Sequence, residues 1–219
     1  MMNRKKIIAS ILSIFSICFS LAAQNLSENA QISLITIAPG DELYSGFGHS
    51  ALHVYDPNTG MDKSYNYGTF DFRAKGFYVK FVRGQLDYML SVGELGRELI
   101  YWGEAENRQV TQQILNLSAE QKNRLYQFLE KNALPENKFY RYDFFYDNCS
   151  TRIRDALQKT IGESLKFNPT TDKEKSFRDL TDEYLLPTKK WEDLGIDVAL
   201  GLRTDKIATP YEYMFLPDY

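Results

Sequence analysis

An α+β fold with an antiparallel sheet is the class this sequence predicts, and three observations predict it. An alternating run from His49 to Tyr55 is followed by the turn stretch Asp56-Pro57-Asn58-Thr59-Gly60 and a second short run, Ser64 to Tyr67. That is the pattern of two strands joined by a reversal. Ser118 stands three residues before Gln121 ahead of Leu125, Phe128 and Leu129, which spells a capped amphipathic helix. Between Cys149 and Thr160, Ile153, Ala156 and Leu157 recur at helical spacing and Gly162 supplies a stop.

The chain opens with a secretory pattern. Asn3-Arg4-Lys5-Lys6 is a basic start, Ile7 to Leu21 is apolar, and Ala22-Ala23 offers small residues for cleavage. The apolar run of 15 residues is shorter than the roughly 20 a membrane helix needs. Residues 1–23 therefore read as a signal peptide and 24–219 as a single domain; an uncleaved membrane anchor is the alternative. Cys18 has the bulky Ile17 before it, which does not suit a lipoprotein-type acceptor. Removing 23 of the 219 residues leaves 196, enough for one ordinary core. Losing Arg4, Lys5 and Lys6 takes the formal charge from −3 to −6. Such a chain has no sequence-wide reason to bind nucleic acid. The expected setting is periplasmic, at most peripheral to a membrane.

Along the chain, Ile32, Leu34 and Ile37 predict a first strand ended by Pro39-Gly40-Asp41, and Tyr44 to Gly48 a glycine-rich turn. His49, Ala51, His53 and Tyr55 share one face of the next strand; Leu52 and Val54 take the other. Val79 to Leu90 mixes strand and loop signals, and Leu95 to Glu104 suggests a short helix. Val110, Gln112 and Ile114 alternate as a strand. Tyr140 to Tyr146 is aromatic and is expected to pack under the cysteine. Residues 163–176 read as loop, and the tail from Leu180 to Tyr219 has apolar patches without a clean period. The sequence shows no internal repeat.

Two cysteines, Cys18 and Cys149, and two histidines, His49 and His53, are all the chain has. With Cys18 in the leader, one thiol remains, so an exported protein keeps either an intermolecular partner or a reactive group. Cys149 falls at the first turn of a helix with Asn148 or Asp147 as cap, where unpaired amides and the helix dipole favour thiolate. Those amides, around Asn148 and Ser150, could also hold an oxyanion, while Arg152 and Arg154 add positive charge. His49, on a strand face beside that helix, is the candidate base. Asn66 on the neighbouring strand is the candidate orienting group, with Asp71 a weaker one. Tyr44, Asp147 and Arg152 are candidate substrate contacts, and His53 is either structural or substrate-facing. No metal and no cofactor is expected: four residues apart on a strand, His49 and His53 sit roughly 13 Å from each other, too far to share an ion.

The stretches Gly46-Phe47-Gly48-His49-Ser50-Ala51-Leu52, Asn66-Tyr67-Gly68-Thr69-Phe70-Asp71-Phe72, Tyr142-Asp143-Phe144-Phe145-Tyr146-Asp147-Asn148-Cys149-Ser150-Thr151-Arg152 and Ala208-Thr209-Pro210-Tyr211-Glu212 with Phe215 to Tyr219 resemble the periplasmic domain family of the Lnb lipoprotein N-acyltransferases. The resemblance covers nearly the whole mature chain. It implies a circularly permuted papain-like fold, similar to NlpC-type and lecithin–retinol acyltransferase-like thiol enzymes, in which a histidine strand precedes and packs on a helix starting at the cysteine. It also implies Cys149 as nucleophile, His49 as base, a phospholipid as acyl donor and the N-terminal amine of a lipoprotein as acceptor, at a membrane surface. Tyr and Phe near residues 77–88 and 139–146 become candidate lipid contacts. Family members can continue into a membrane-embedded region, whereas this chain stops at Tyr219; a member that docks on the membrane, or works with a partner, is the expectation. Two other readings use the same residues: a Cys-His hydrolase (lipase or cell-wall peptidase), or a non-catalytic binding module with an inert Cys149.

Overall fold

The structure, a computed structural model, describes residues 25–70, 87–168 and 174–219. The leader, Asp71, Phe72 and the aromatic residues between 77 and 86 lie outside the described residues. A six-stranded sheet runs in the order β5-β1-β2-β3-β4-β6. Its strands are β1 (Gln31–Ile37), β2 (His49–Asp56), β3 (Met61–Thr69), β4 (Asp87–Gly93), β5 (Val110–Ile114) and β6 (Phe139–Arg141). Every neighbouring pair is antiparallel. Six helices accompany it among the described residues: α1 (Leu95–Leu99), α2 (Ala119–Ala133), α3 (Cys149–Ile161), α4 (Phe177–Leu185), α5 (Lys190–Leu200) and α6 (Pro210–Tyr213). The α+β class and the antiparallel sheet are thus as the sequence predicts.

Side-chain alternation sorts the sheet into two apolar faces. Ile32, Leu52, Val54, Tyr65, Tyr67 and Leu90 meet α2 and α3 through Leu125, Leu129, Ile153 and Leu157 in the main core. Ile35, Ile37 and Ala51 point the other way, onto Leu95 and Trp102. Helices α2 and α3 begin where the sequence places them. Ser118 and Gln121 form a reciprocal capping box, and α3 ends at Gly162 with φ 70°, a conformation glycine adopts at no steric cost.

The C-terminal third differs from expectation. Instead of an aperiodic tail it forms α4, α5 and α6 around a second core of Phe47, Phe145, Phe177, Leu180, Leu185, Tyr213 and Phe215. A two-stranded pairing of Lys175–Ser176 with Ile207–Ala208 closes it. Phe145 and Phe215 tie this module to the segment just before Cys149, with ring centroids 5.3 Å apart. The module therefore sits against the starting end of α3.

Candidate active site

Cys149 is the first residue of α3, and the cap before it is fully engaged. Asn148 Oδ1 accepts the amides of Ser150 and Thr151, both at 2.9 Å. Its Nδ2 donates to the carbonyls of Phe144 and Phe215, both at 2.8 Å. Asn148 is thus the helix cap, and the Ser150 amide is occupied by it, leaving the Cys149 amide as the helix-start donor beside the sulfur. Ser150 Oγ lies 3.9 Å from Cys149 Sγ and 3.1 Å from Ser50 Oγ.

His49 opens β2 on the face that carries Ala51 and Trp102, with its ring centroid 6.0 Å from that of Trp102. The helix lies across the opposite face, where Leu52 and Val54 point. β2 nonetheless packs on α3, and at the starting end of the strand the His49 ring hydrogen-bonds the Cys149 sulfur. Two glycines shape that end. Gly48 has φ +80°, and a Cβ there would stand 2.8 Å from the Ile37 carbonyl oxygen. Gly68, φ +86°, lies within the register shift between Asn66 and Thr69 and faces the Tyr142 ring and Cys149. Such an irregularity bends a strand locally and is a common device beside active sites.

The pair is electrostatically coupled. Burial pushes the Cys149 thiol up, but the His49 charge and hydrogen bond, the Ser50 amide and the Ser150 hydroxyl together bring it below its ordinary value. Burial pushes His49 down, yet the charge and hydrogen bond of Cys149 and the Asn66 side chain leave it above its ordinary value, against an opposing push from Arg108. One group lowered and the other raised is the signature of a thiolate–imidazolium pair. The expected contribution of Arg152 and Arg154 gives way here. Arg152 is held by Asp147 through a two-toothed ion pair at 2.6 and 2.8 Å and stacks 3.5 Å from the Tyr140 ring centroid. Arg154 pairs with Asp155 and covers Tyr211.

Asn66 and His49 do come together: Asn66 Oδ1 lies 3.2 Å from His49 Nε2. The amide is itself oriented, because Nδ2 donates to Glu98 Oε1 at 2.8 Å and to Ser64 Oγ at 3.2 Å. Sequence reasoning missed Glu98. Nothing in its surroundings announces a link to a residue 32 positions away; only the fold of α1 against β3 creates it.

The other candidates are placed less centrally. His53 is buried, with Nε2 on Asp62 at 2.9 Å and Nδ1 3.5 Å from Gln112. Both nitrogens are taken, so of the two expected roles for His53 the structural one fits and the substrate-facing one does not. Tyr44 is exposed and reaches Glu106 at 3.3 Å. Asp147 and Arg152 brace each other at the start of α3. Tyr140 and Tyr142 do pack near Cys149: burial, and in part the Cys149 charge, raises both phenols, Tyr142 well above its ordinary value.

The family model of the Lnb N-terminal periplasmic domain matches residues 20–192. No curated protein and no solved structure matches the chain. The match spans most of the sequence, and the chain belongs to the Lnb N-terminal periplasmic domain family.

Proposed function

We propose that this member of the Lnb N-terminal periplasmic domain family is a cysteine-dependent acyltransferase. It moves a fatty acyl chain from a phospholipid to the N-terminal amine of a lipoprotein at a membrane surface. The observation that carries the reading is the coupling of Cys149 and His49, with the thiol lowered and the imidazole raised. A histidine strand that precedes and packs on a cysteine-led helix also supports a circularly permuted papain-like arrangement, of the NlpC and lecithin–retinol acyltransferase kind.

In the first half-reaction the Cys149 thiolate attacks the ester carbonyl carbon. The Cys149 amide, at the positive end of α3, steadies the oxyanion. The carbon–oxygen bond to the glycerol backbone breaks, and the imidazolium of His49 gives its proton to the departing lysophospholipid alkoxide. A thioester remains on Cys149. In the second half-reaction the lipoprotein amine attacks that thioester while neutral His49 takes its proton. The carbon–sulfur bond breaks, the amide leaves and the thiolate returns. Asn66 holds the ring throughout through Nε2, so that Nδ1 faces the sulfur. Metal and cofactor have no part in the scheme.

The test supplies purified protein with phospholipid vesicles and a diacylglyceryl-cysteine peptide, and looks by mass spectrometry for acylated Cys149 and N-acyl peptide. Both products are expected. Free fatty acid with no N-acyl peptide would make the protein a hydrolase on the same machinery. An unacylated Cys149 under all conditions would reduce the domain to a binding module.

A further inference from the structure

Strands β2 and β3 stay in register from Asp56 opposite Met61 to Leu52 opposite Tyr65, where the pairing ends toward the start of β2. Helix α3 packs on both strands. Cys149 starts α3 in the fork between them: a Cβ on Gly68 of β3 would stand 3.6 Å from the Cys149 Cβ. Ser50 is the β2 residue that meets it there. Side chains alternate along a strand, so Ser50 shares the α3 face with Leu52 and Val54, while His49 takes the opposite one. The Ser50 amide donates to the Cys149 sulfur. Its hydroxyl lies 3.1 Å from Ser150 Oγ, which in turn lies 3.9 Å from Cys149 Sγ. The two serines are 3% and 7% exposed, so their hydroxyls are satisfied by protein groups rather than by bulk water. Among the described residues Ser50 Oγ has Ser150 Oγ as its partner, and Ser150 Oγ has Ser50 Oγ and the sulfur.

Each hydroxyl has one hydrogen to give. If Ser150 gave its hydrogen to Ser50, the Ser50 hydrogen would be buried without an acceptor and the sulfur would lose a donor. In the other direction every group is satisfied: Ser50 donates to Ser150, and Ser150 donates to the sulfur, which as a thiolate can only accept. We propose that Ser50 is a positioning residue of the active site, whose hydroxyl aims the hydrogen of Ser150 at Cys149 and makes the serine pair a second hold on the sulfur besides His49. This deepens the acyltransferase reading and rests on it for the reaction served. Before acylation the pair steadies the thiolate through a charge-assisted bond, stronger than one between neutral groups. Once the acyl group is on sulfur, the neutral thioester is a weak acceptor and the bond slackens. It strengthens again as the lipoprotein amine attacks, the carbon–sulfur bond breaks and the electron pair returns to sulfur. A contact stronger in that transition state than in the thioester speeds the second half-reaction. No proton leaves either serine; the amine proton still goes to His49.

The test measures iodoacetamide alkylation of Cys149 against pH, with denaturant titration alongside to follow folding. Ser50→Ala keeps the backbone amide and removes only the hydroxyl. Its alkylation midpoint should move up by about half a unit to one unit, and Ser50→Thr, which keeps a hydroxyl, should stay close to the native protein. Ser150→Ala should shift the midpoint by as much or more. Because Ser50 acts through Ser150, the double variant should match Ser150→Ala rather than the sum of the two shifts. Additive shifts would overturn the proposal. So would a midpoint unmoved in Ser50→Ala while its unfolding midpoint falls, which would make Ser50 purely structural. With phospholipid vesicles and the diacylglyceryl peptide supplied, acyl-Cys149 should accumulate about threefold or more in Ser50→Ala, since thioester breakdown is slowed. No accumulation, beside a native protein that turns over, would overturn the role in the second half-reaction. A native protein that never acylates would sink the acyltransferase reading, and the alkylation midpoints would still decide the placing of Ser50.

Discussion

Asn66 Oδ1 accepts from His49 Nε2 across 3.2 Å, and this one contact decides which nitrogen is left for Cys149. With Nε2 protonated toward Asn66, Nδ1 is the atom that exchanges a proton with sulfur. His49→Ala removes the charge that offsets burial of the thiol. Alkylation of Cys149 should then require a higher pH than in the native protein, because burial pushes the group up and only the Ser50 amide and the Ser150 hydroxyl remain to offset it. In the native protein the thiolate should persist below the ordinary thiol range. An iodoacetamide rate profile that is the same in both proteins would make His49 structural.

The same coupling fixes the shape of the activity profile. The thiol is lowered and the imidazole raised, so the reactive ion pair occupies a window bounded by Cys149 on the acid side and His49 on the alkaline side. Below the window sulfur is protonated; above it His49 can no longer protonate the leaving alkoxide. Asn66→Ala removes an interaction that raises His49, so its alkaline limb should move down while the acid limb moves up slightly. The cost in rate should be smaller than for Cys149→Ser, which should abolish acyl-enzyme formation in a protein that still folds. Asn66→Ala as inactive as Cys149→Ser would assign the amide a larger role than orientation.

Glu98 gives the amide of Asn66 its direction. Its Oε1 accepts from Nδ2 at 2.8 Å, and its Oε2 is buried with no hydrogen-bond partner among the described residues. Without it, the Asn66 amide can turn its nitrogen toward the imidazole and lose the acceptor that holds Nε2–H. Glu98→Ala should therefore shift the alkaline limb as Asn66→Ala does, whereas Glu98→Gln, which keeps an acceptor oxygen, should restore most of it. A purely structural Glu98 would change the unfolding midpoint and leave the limb where it was.

Much of this architecture was legible because the residues that form it obey simple periods. His49 to Tyr55 alternates, Ser118 with Gln121 caps, and Cys149 to Ile161 repeats on one side. The Cys149, His49 and Asn66 set was legible for the same reason: strand and helix starts are local signals. What escaped was tertiary. In helix α5 Ile196 and Leu200 pack against the second core while Trp191, Leu194 and Val198 are exposed, so apolar residues lie on both sides and hydrophobic periodicity could not report which side faces the core. Glu98 acts through a contact only the folded chain makes. Arg152, read as a charge for the thiolate, proved to be claimed by Asp147, its neighbour five residues before.

Asn148 should matter for stability more than an ordinary cap. Loss of an N-cap side chain typically costs about 1 kcal/mol. Here the same side chain also donates to the Phe144 and Phe215 carbonyls, and the latter joins the C-terminal module to the start of α3. Leaving two such acceptors without a donor adds about 1 kcal/mol or more apiece, so Asn148→Ala should lower the unfolding free energy by about 2–4 kcal/mol in denaturant titration. Asn148→Asp keeps the acceptor for the Ser150 and Thr151 amides but sets a carboxylate against two carbonyls. It should be at least as destabilising, although Asp is as good a cap as Asn in isolation. If Asn148→Asp instead matches the native protein, the two carbonyl contacts contribute nothing, and the C-terminal module is held to α3 by the aromatic packing of Phe145 and Phe215 and by the contacts of Tyr211 with Arg154, Asp155 and Gln158.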